Sequence, residues 1–410
     1  MRIALVHDWL TGMRGGEKCL EPLCQRFPQA RLFTLLHVKG STSPAIERMP
    51  ITTSFLQGIP GASRHYRHLL PLMPAAIERL PIPRDIDLVL SFSHAVAKGV
   101  RVPTGVPHVC YCFTPMRYAW DLRHEYFGNS KSPLSAVRNL LLDRLQRWDC
   151  TTSDRVTQFV AISRTVADRI AANYDRTSTI IYPPVDTEFY TPSDARGVEA
   201  SREDYYLCVS ALAPYKRLDL AIAACNRLKR KLIVIGEGPA RKKLAAMAGP
   251  TASFLGWRSN AEIRDHLRRC RALIFPGLED FGIVPLEAQA CGTPVIALAQ
   301  GGATETVLPP TSASAGSGLF FDEPTEDALI EALLSLERAP DQCSPEIARQ
   351  QAQRFAPERF IGELTAFLQR VVRDACRIDW GIGEIRSPKH EIRNKSEIRN
   401  PKLKTPFAMF

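Results

Sequence analysis

Short aliphatic and β-branched runs, each closed by a turn signal, recur along the chain and alternate with longer stretches of helical period. In the first half they are RIALVHD, ARLFTLL, IDLVLSF, PHVCYC and TQFVAIS; in the second they are YYLCVSAL, KLIVIGEG, ALIFPGL and TPVIALA. Strand-length runs separated by helical spacers predict βαβ units and so parallel sheets, because a parallel pair needs a crossover long enough to hold a helix. Between the two sets lies TIIYPPVDTEFYTPSDARGVEASRED, rich in Pro, Asp and Ser and without periodicity, which reads as a connection between domains. The expected fold class is α/β, with two doubly wound parallel-sheet domains at 1–200 (linker 183–200) and 201–345. Helical spacing of Phe360, Leu364, Phe367, Leu368 and Val371 predicts a C-terminal helix within 346–376 that returns toward the first domain.

Composition bounds the function classes. At 410 residues, with 45% hydrophobic and 23% charged side chains, the chain can bury two cores. The net charge is +10, and the segment 377–410 supplies +4 of it through eight Lys or Arg against four Asp or Glu. That segment repeats EIR at Glu384, Glu391 and Glu397 and has little to bury, so it reads as a disordered basic tail. The excess left on the body suits anionic ligands but lacks the dense Lys/Arg stripe of a nucleic-acid binder, and no nucleic-acid partner is expected. Eleven scattered cysteines contain no C-x-x-C pair, which argues for reduced thiols rather than zinc or redox chemistry. The opening MRIALVHDWL lacks a signal-peptide pattern, and no apolar run reaches about 18 residues. A cytoplasmic protein, peripheral at the inner face of the membrane, is expected. The basic, aromatic segment SRHYRHLLPLMPAAIERL either touches that anionic surface or packs as a surface helix broken by Pro71 and Pro74.

The most informative stretch is IFPGLEDFGIVPLEAQACGTPVIALAQGG, residues 274–302. A strand at Ala272–Phe275 runs into a loop with Glu279, Asp280, Phe281 and Gly282, and a helix follows from about Val284 to Cys291. The loop therefore sits at the C-terminal edge of a parallel sheet, where open α/β folds bind ligands, with helix amides directed at it. Glu279 and Glu287 can serve two ends of one ligand: Glu287 accepts from a vicinal diol such as a ribose, and Glu279 holds sugar hydroxyls. Alone, each reads equally well as a solvated loop carboxylate and a first-turn helix residue favoured by the dipole.

Lys216 follows YYLCVSAL and opens the helix RLDLAIAA, a place from which its ammonium reaches a diphosphate. Two unit charges about 4 Å apart attract by about 4 kcal/mol at an effective dielectric near 20, against about 0.3–1 kcal/mol from a helix dipole. Gly15 and Gly16 precede a helix, where bare amides can approach a phosphate. His94 ends the run DLVLSFS at another C-terminal strand edge. GEGP, from Gly236 to Pro239, lacks the third glycine and the distant acid of a dinucleotide fingerprint.

The Glu-x(7)-Glu spacing with EAQACGTPVIA, VSALAPYKRLDLAI, VIGEGPARKKL and FLGWRSNAEIRDHLRRCRALIFP resembles glycosyltransferase family 4, of GT-B fold, over roughly Tyr205 to Val307. The resemblance implies a retaining hexosyl transfer in which a departing phosphate oxygen takes the acceptor proton. It implies that Lys216, Glu279 and His94 serve catalysis, and that Gly15, Gly16, Phe281, Gly282, Ile283 and Glu287 line the donor. Trp257 and Arg258 would border the base. Many members carry Gly-Arg where Ser210 and Ala211 stand, and Arg217 is the expected substitute for that arginine. YCFTPMRYAWD resembles a segment that usually has histidine at Phe113; Arg117 and Asp121 are its acceptor-side candidates. The resemblance implies a metal-independent enzyme, so no metal and no cofactor beyond the nucleotide-sugar co-substrate is expected. The implied partners are GDP-mannose or a UDP-sugar and a glycan or lipid-linked acceptor, with PYKR and HAVAKG leaning toward mannosyl transfer in polysaccharide or lipopolysaccharide assembly. A GT-B sugar-nucleotide epimerase is the alternative, as is an inactive sugar-nucleotide-binding subunit, suggested by Ala211 and Phe113.

Overall fold

Strands buried on both faces read as near-continuous apolar runs, and the first strand, IALVH, is buried throughout, with His7 its one polar side chain. The computed structural model describes residues 1–117, 119–120, 133–192 and 202–380; Asp121, linker residues 193–200 and the tail from 381 lie outside them. The first sheet contains β1 (Ile3–His7), β2 (Arg31–Thr34), β3 (Ile51–Thr53), β4 (Leu88–Ser93), β5 (His108–Cys112), β6 (Gln158–Ala161) and β7 (Ser178–Ile180). The second contains β8 (Tyr206–Val209), β9 (Leu232–Ile235), β10 (Ala252–Gly256), β11 (Ala272–Phe275), β12 (Val295–Leu298) and β13 (Gly318–Phe321). Their orders are β3-β2-β1-β4-β5-β6-β7 and β10-β9-β8-β11-β12-β13. Each neighbouring pair is parallel.

Successive residues of a strand feed opposite faces. Ile3 and Leu5 enter one core while Ala4 and Val6 enter the other, and Tyr206 and Leu207 divide in the same way in the second sheet. Both sheets are thus doubly wound, and each strand order reverses once: between β1 and β4, and between β8 and β11. Those two crevices are where such sheets bind ligands.

The helices used below are α1 (Gly15–Arg26), α2 (Pro133–Thr152), α3 (Arg164–Tyr174), α4 (Leu218–Leu228), α5 (Asn260–Arg269), α6 (Ile283–Ala290), α7 (Glu326–Arg338), α8 (Pro345–Gln353) and α9 (Pro357–Trp380). The C-terminal region holds two helices rather than one, with Pro357 beginning the second. Phe360, Leu364 and Leu368 of α9 join the first-domain core, where the Phe360 ring meets Tyr111 edge-on at 5.5 Å. Helix α9 also runs four residues into the segment expected to be disordered, which is inexpensive because each propagated residue adds a backbone hydrogen bond. The SRHYRH segment splits into Ala62–His65, Tyr66–Leu72 and Met73–Glu78, with Tyr66, Met73, Ala76 and Ile77 turned into the core. Among the described residues, no helix is long and apolar enough to cross a membrane.

Candidate active site

At the second sheet's crevice, the loops after β8 and β11 touch. The chain leaves β8, forms a 3-10 turn at Pro214–Lys216, and passes through Arg217 in the left-handed region (φ 50°) before α4 begins. Lys216 therefore precedes the helix rather than opening it. Its ammonium forms an ion pair with the Glu279 carboxylate from the β11 loop. Two glycine positions allow that approach. A Cβ on Gly277 would lie 2.8 Å from the Lys216 Cα, and one on Gly302 would lie 2.2 Å from the Phe281 Cα. The Gly302 amide donates to the Glu279 carbonyl at 2.8 Å, fixing the carboxylate-bearing loop. Burial, with Arg117 nearby and Asp280 opposing, pushes the Lys216 ammonium down to about 7. An adjacent anion favours its charged form, and the Glu279 carboxylate is the one it pairs with.

Arg217 does not take the place of the missing family arginine: it turns to Asp219 of its own helix start at 3.1 Å. Arg117 of the first domain comes to Lys216 instead. Its guanidinium lies 5.6 Å from the Tyr215 ring, against which Lys216 Nζ sits at 5.1 Å. Arg117 and Arg169 of α3 both pair with Asp280, a buried carboxylate of the β11 loop. Arg117, expected on the acceptor side, is thus a bridge to the second domain.

Glu287 lies one turn into α6 and is 3% exposed. Lys18, on α1 of the other domain, donates to its Oε1 at 2.5 Å. Gly282 (φ 92°) caps α6, and Ile283 faces the first domain, 3.2 Å from where a Gly15 Cβ would stand. The Phe281 ring stacks on Tyr182 at 5.8 Å and is buried beside Phe355, so its main chain is the part left to face a donor. Trp257 stands 73% exposed after β10, and Arg258 donates to the Trp257 carbonyl at 2.9 Å. The GEGP glycines have a packing reason: a Cβ on Gly236 would lie 1.9 Å from the Ser210 carbonyl oxygen, and one on Gly238 would lie 2.4 Å from that of Leu212.

At the first sheet's crevice, β1 delivers Asp8 and β4 delivers His94. The fully buried Asp8 carboxylate accepts main-chain N–H bonds from His94 and Ala95 (2.8 and 3.0 Å) and from Val96 and Ala97 (both 2.7 Å). His94 Nδ1 lies 3.0 Å from the same carboxylate. Burial opposes ionisation of Asp8, but His94 and these donors hold it at about 2. Burial likewise disfavours the His94 imidazolium, yet Asp8 outweighs it and raises His94 above the ordinary histidine value. Gly15 and Gly16 are the first residues of α1, not a loop before it. A Gly16 Cβ would lie 3.1 Å from His7 Nε2 and 3.3 Å from the Phe113 ring, so Phe113 packs where a helix start must come close.

Asp8, Lys18, Arg169 and Asp280 escaped sequence reasoning. Asp8 had one available signal, an acid directly after a wholly apolar strand. The other three act across the domains, and their pairing is invisible without the fold.

Residues 192–355 match the family described as "Glycosyl transferases group 1", and residues 14–189 match "Glycosyltransferase Family 4". Curated relatives include the D-inositol 3-phosphate glycosyltransferases of Mycobacterium avium and Mycobacterium marinum, each 27% identical. The first match covers 64% of this chain and 64% of the relative, and the second covers 62% and 59%. The chain thus spans less than two thirds of the length of these relatives. Among solved structures, Anabaena HepE in complex with UDP and glucose shares 18% identity at a TM-score of 0.65, covering 90% of this chain and 99% of that one. Sucrose-phosphate synthase from Thermosynechococcus elongatus shares 14% at 0.66, covering 91% and 100%. At these identities the likeness is one of fold.

Proposed function

The chain belongs to the group 1 glycosyltransferases, of GT-B fold, and we propose that it moves a hexosyl group from a nucleotide-diphosphate sugar to a glycan or lipid-linked acceptor with retention of configuration. The carrying observation is the meeting of Lys216 with Glu279 at the β8–β11 crevice, with Arg117 of the other domain against the same Tyr215 ring.

In this reading Lys216 and Arg117 stabilise charge that develops on the departing diphosphate, the kind of preorganised electrostatic help that contributes most in such sites. Glu279 exchanges its contact with Lys216 for the sugar hydroxyls, so the lysine passes from a carboxylate to the diphosphate without losing an anion. Glu287 holds the ribose with the oxygen that Lys18 leaves, and the exposed Trp257 borders the base. His94, with Nδ1 committed to Asp8, presents Nε2 to the sugar. The leaving phosphate oxygen takes the acceptor proton, and no metal is needed. The donor is a GDP- or UDP-sugar, and the mannosyl reading favours GDP. Polysaccharide or lipopolysaccharide assembly at the inner face of the cytoplasmic membrane is the setting proposed.

The experiment is a thermal-shift screen with GDP and UDP, followed by incubation with the matching nucleotide sugar and NMR of the product's anomeric coupling. Selective stabilisation by one nucleotide, and a product of the donor's own anomeric configuration formed in EDTA, are expected. An inverted product, or dependence on added metal, would overturn this mechanism.

A further inference from the structure

Beside His94 the first domain presents two exposed arginines, Arg14 and Arg67, on either side of Tyr66. Arg14 is the N-cap residue of α1, where a cation meets the like-signed end of the helix dipole. Its Nη1 donates to the Tyr66 hydroxyl at 3.2 Å, and the Arg67 guanidinium lies 5.8 Å from the Tyr66 ring. Neither arginine forms an ion pair among the described residues, whereas Arg2, Arg31, Arg101 and Arg155 are each paired with Asp or Glu. Glu17, three residues on, accepts from the Arg14 main-chain N–H at 3.1 Å rather than from its guanidinium. Burial works against ionising the Tyr66 phenol, yet the hydrogen bonds and charges of the two arginines pull it below its ordinary value. Aromatic surface adjoins the charge: the Trp9 ring lies 5.0 Å from Tyr66 and meets His94 edge-on at 4.6 Å.

We propose that this surface is an acceptor subsite for a phosphate-bearing polyhydroxyl compound, with Arg14 and Arg67 holding the phosphate and Trp9 supporting the ring beside His94. The proposal rests on the glycosyl-transfer reading above and narrows its acceptor to an anionic one. Two arginines gathered on one tyrosine suit a dianion; a single carboxylate would leave one of them unmatched. The phosphate is carried either by a soluble sugar phosphate or by a lipid, and the same guanidinium chemistry serves both.

The test is calorimetric titration of the full chain, saturated with its preferred nucleoside diphosphate, with glucose 1-phosphate and with glucose. A parallel arm measures capture by phosphatidylcholine vesicles with and without phosphatidic acid. Glucose 1-phosphate should bind at least tenfold more tightly than glucose. The Arg14→Ala/Arg67→Ala variant should lose that advantage while keeping its nucleotide affinity, and Lys216→Ala should retain it. Capture by phosphatidic acid alone, sensitive to the same double variant, assigns the phosphate to a lipid and equally supports the subsite. Equal binding of the charged and neutral sugars with no capture by phosphatidic acid, or binding that the double variant leaves unchanged, overturns the proposal. Failure of the nucleotide to bind would instead count against the glycosyl-transfer reading. The sugar titrations are then run without it, and Lys216→Ala separates the two positive sites.

Discussion

Lys18 on α1 and Glu287 on α6, in different domains, meet at 2.5 Å. The carboxylate is almost wholly buried while Lys18 keeps 27% side-chain exposure, so the lysine is the solvent-facing half of an interdomain latch. Removing one member of a fully buried pair costs about 3–5 kcal/mol; for this part-exposed lysine we expect about 2 kcal/mol in Lys18→Met. A double-mutant cycle with Glu287→Gln in urea melts should recover most of that loss. Simple additivity of the two variants would show that no latch exists.

Asp8 supports four main-chain amides and His94 at once, so Asp8→Ala should cost about 3 kcal/mol or more by orphaning buried donors. The pH signs differ for the two partners. The depressed Asp8 contributes stability above its unfolded value, lost as pH falls toward about 2. The raised His94 contributes fully below about 6.5, lost as pH rises through its folded value. The pair is therefore worth most between about pH 4 and 6.5, and melts across that range check it. In NMR titrations the His94 midpoint should lie above 6.5 in the natural chain and fall in Asp8→Asn.

Gly302→Ala should push the Glu279 loop off its seat, because its Cβ would meet the Phe281 Cα at 2.2 Å. Nucleoside-diphosphate affinity should fall at least tenfold. Gly362→Ala is the control: nothing lies within 4 Å of that Cβ in the exposed side of α9, so about 0.5–1 kcal/mol of added stability is expected. Calorimetry and melting of both variants separate a packing clash from a general intolerance of Gly→Ala.

Glu279→Gln removes the anion that favours the charged form of Lys216. Its ammonium should then titrate below the value of about 7 that it has beside Glu279, so at neutral pH nucleoside-diphosphate affinity should be weaker than in the natural chain and fall further as pH rises, by up to tenfold per unit for one proton. Binding in buffers of different ionisation enthalpy should show proton uptake at pH 8. A pH-independent affinity in this variant would contradict the role given to Glu279.

The four strands that sequence reasoning missed, β3, β7, β10 and β13, are the four edges of the two sheets. β3 and β7 are three residues long and partly open to solvent, and β10 (ASFLG) buries only its last residue, so they lack the continuous apolar run that marked the central ones; β13 (GLFF) is mostly buried but has only three apolar side chains. Glu279 and Lys216 were legible because each follows a central strand. The turn of the Phe281 ring into the core was not legible, because a motif position does not fix which way a ring points. The partner of Arg117 was not legible, since Asp280 lies 163 residues away in sequence.

The sharpest test of the donor site compares nucleoside-diphosphate affinity by calorimetry in the natural chain and in Lys216→Ala, Arg117→Ala and Arg217→Ala. Losing a charge-assisted contact of about 1.5–3 kcal/mol weakens binding by roughly tenfold to a hundredfold. That loss is expected for Lys216→Ala and Arg117→Ala with melting temperatures in hand, while Arg217→Ala stays within about twofold because its guanidinium is held by Asp219. Undiminished affinity in Lys216→Ala, or a loss confined to Arg217→Ala, would contradict the diphosphate site drawn here.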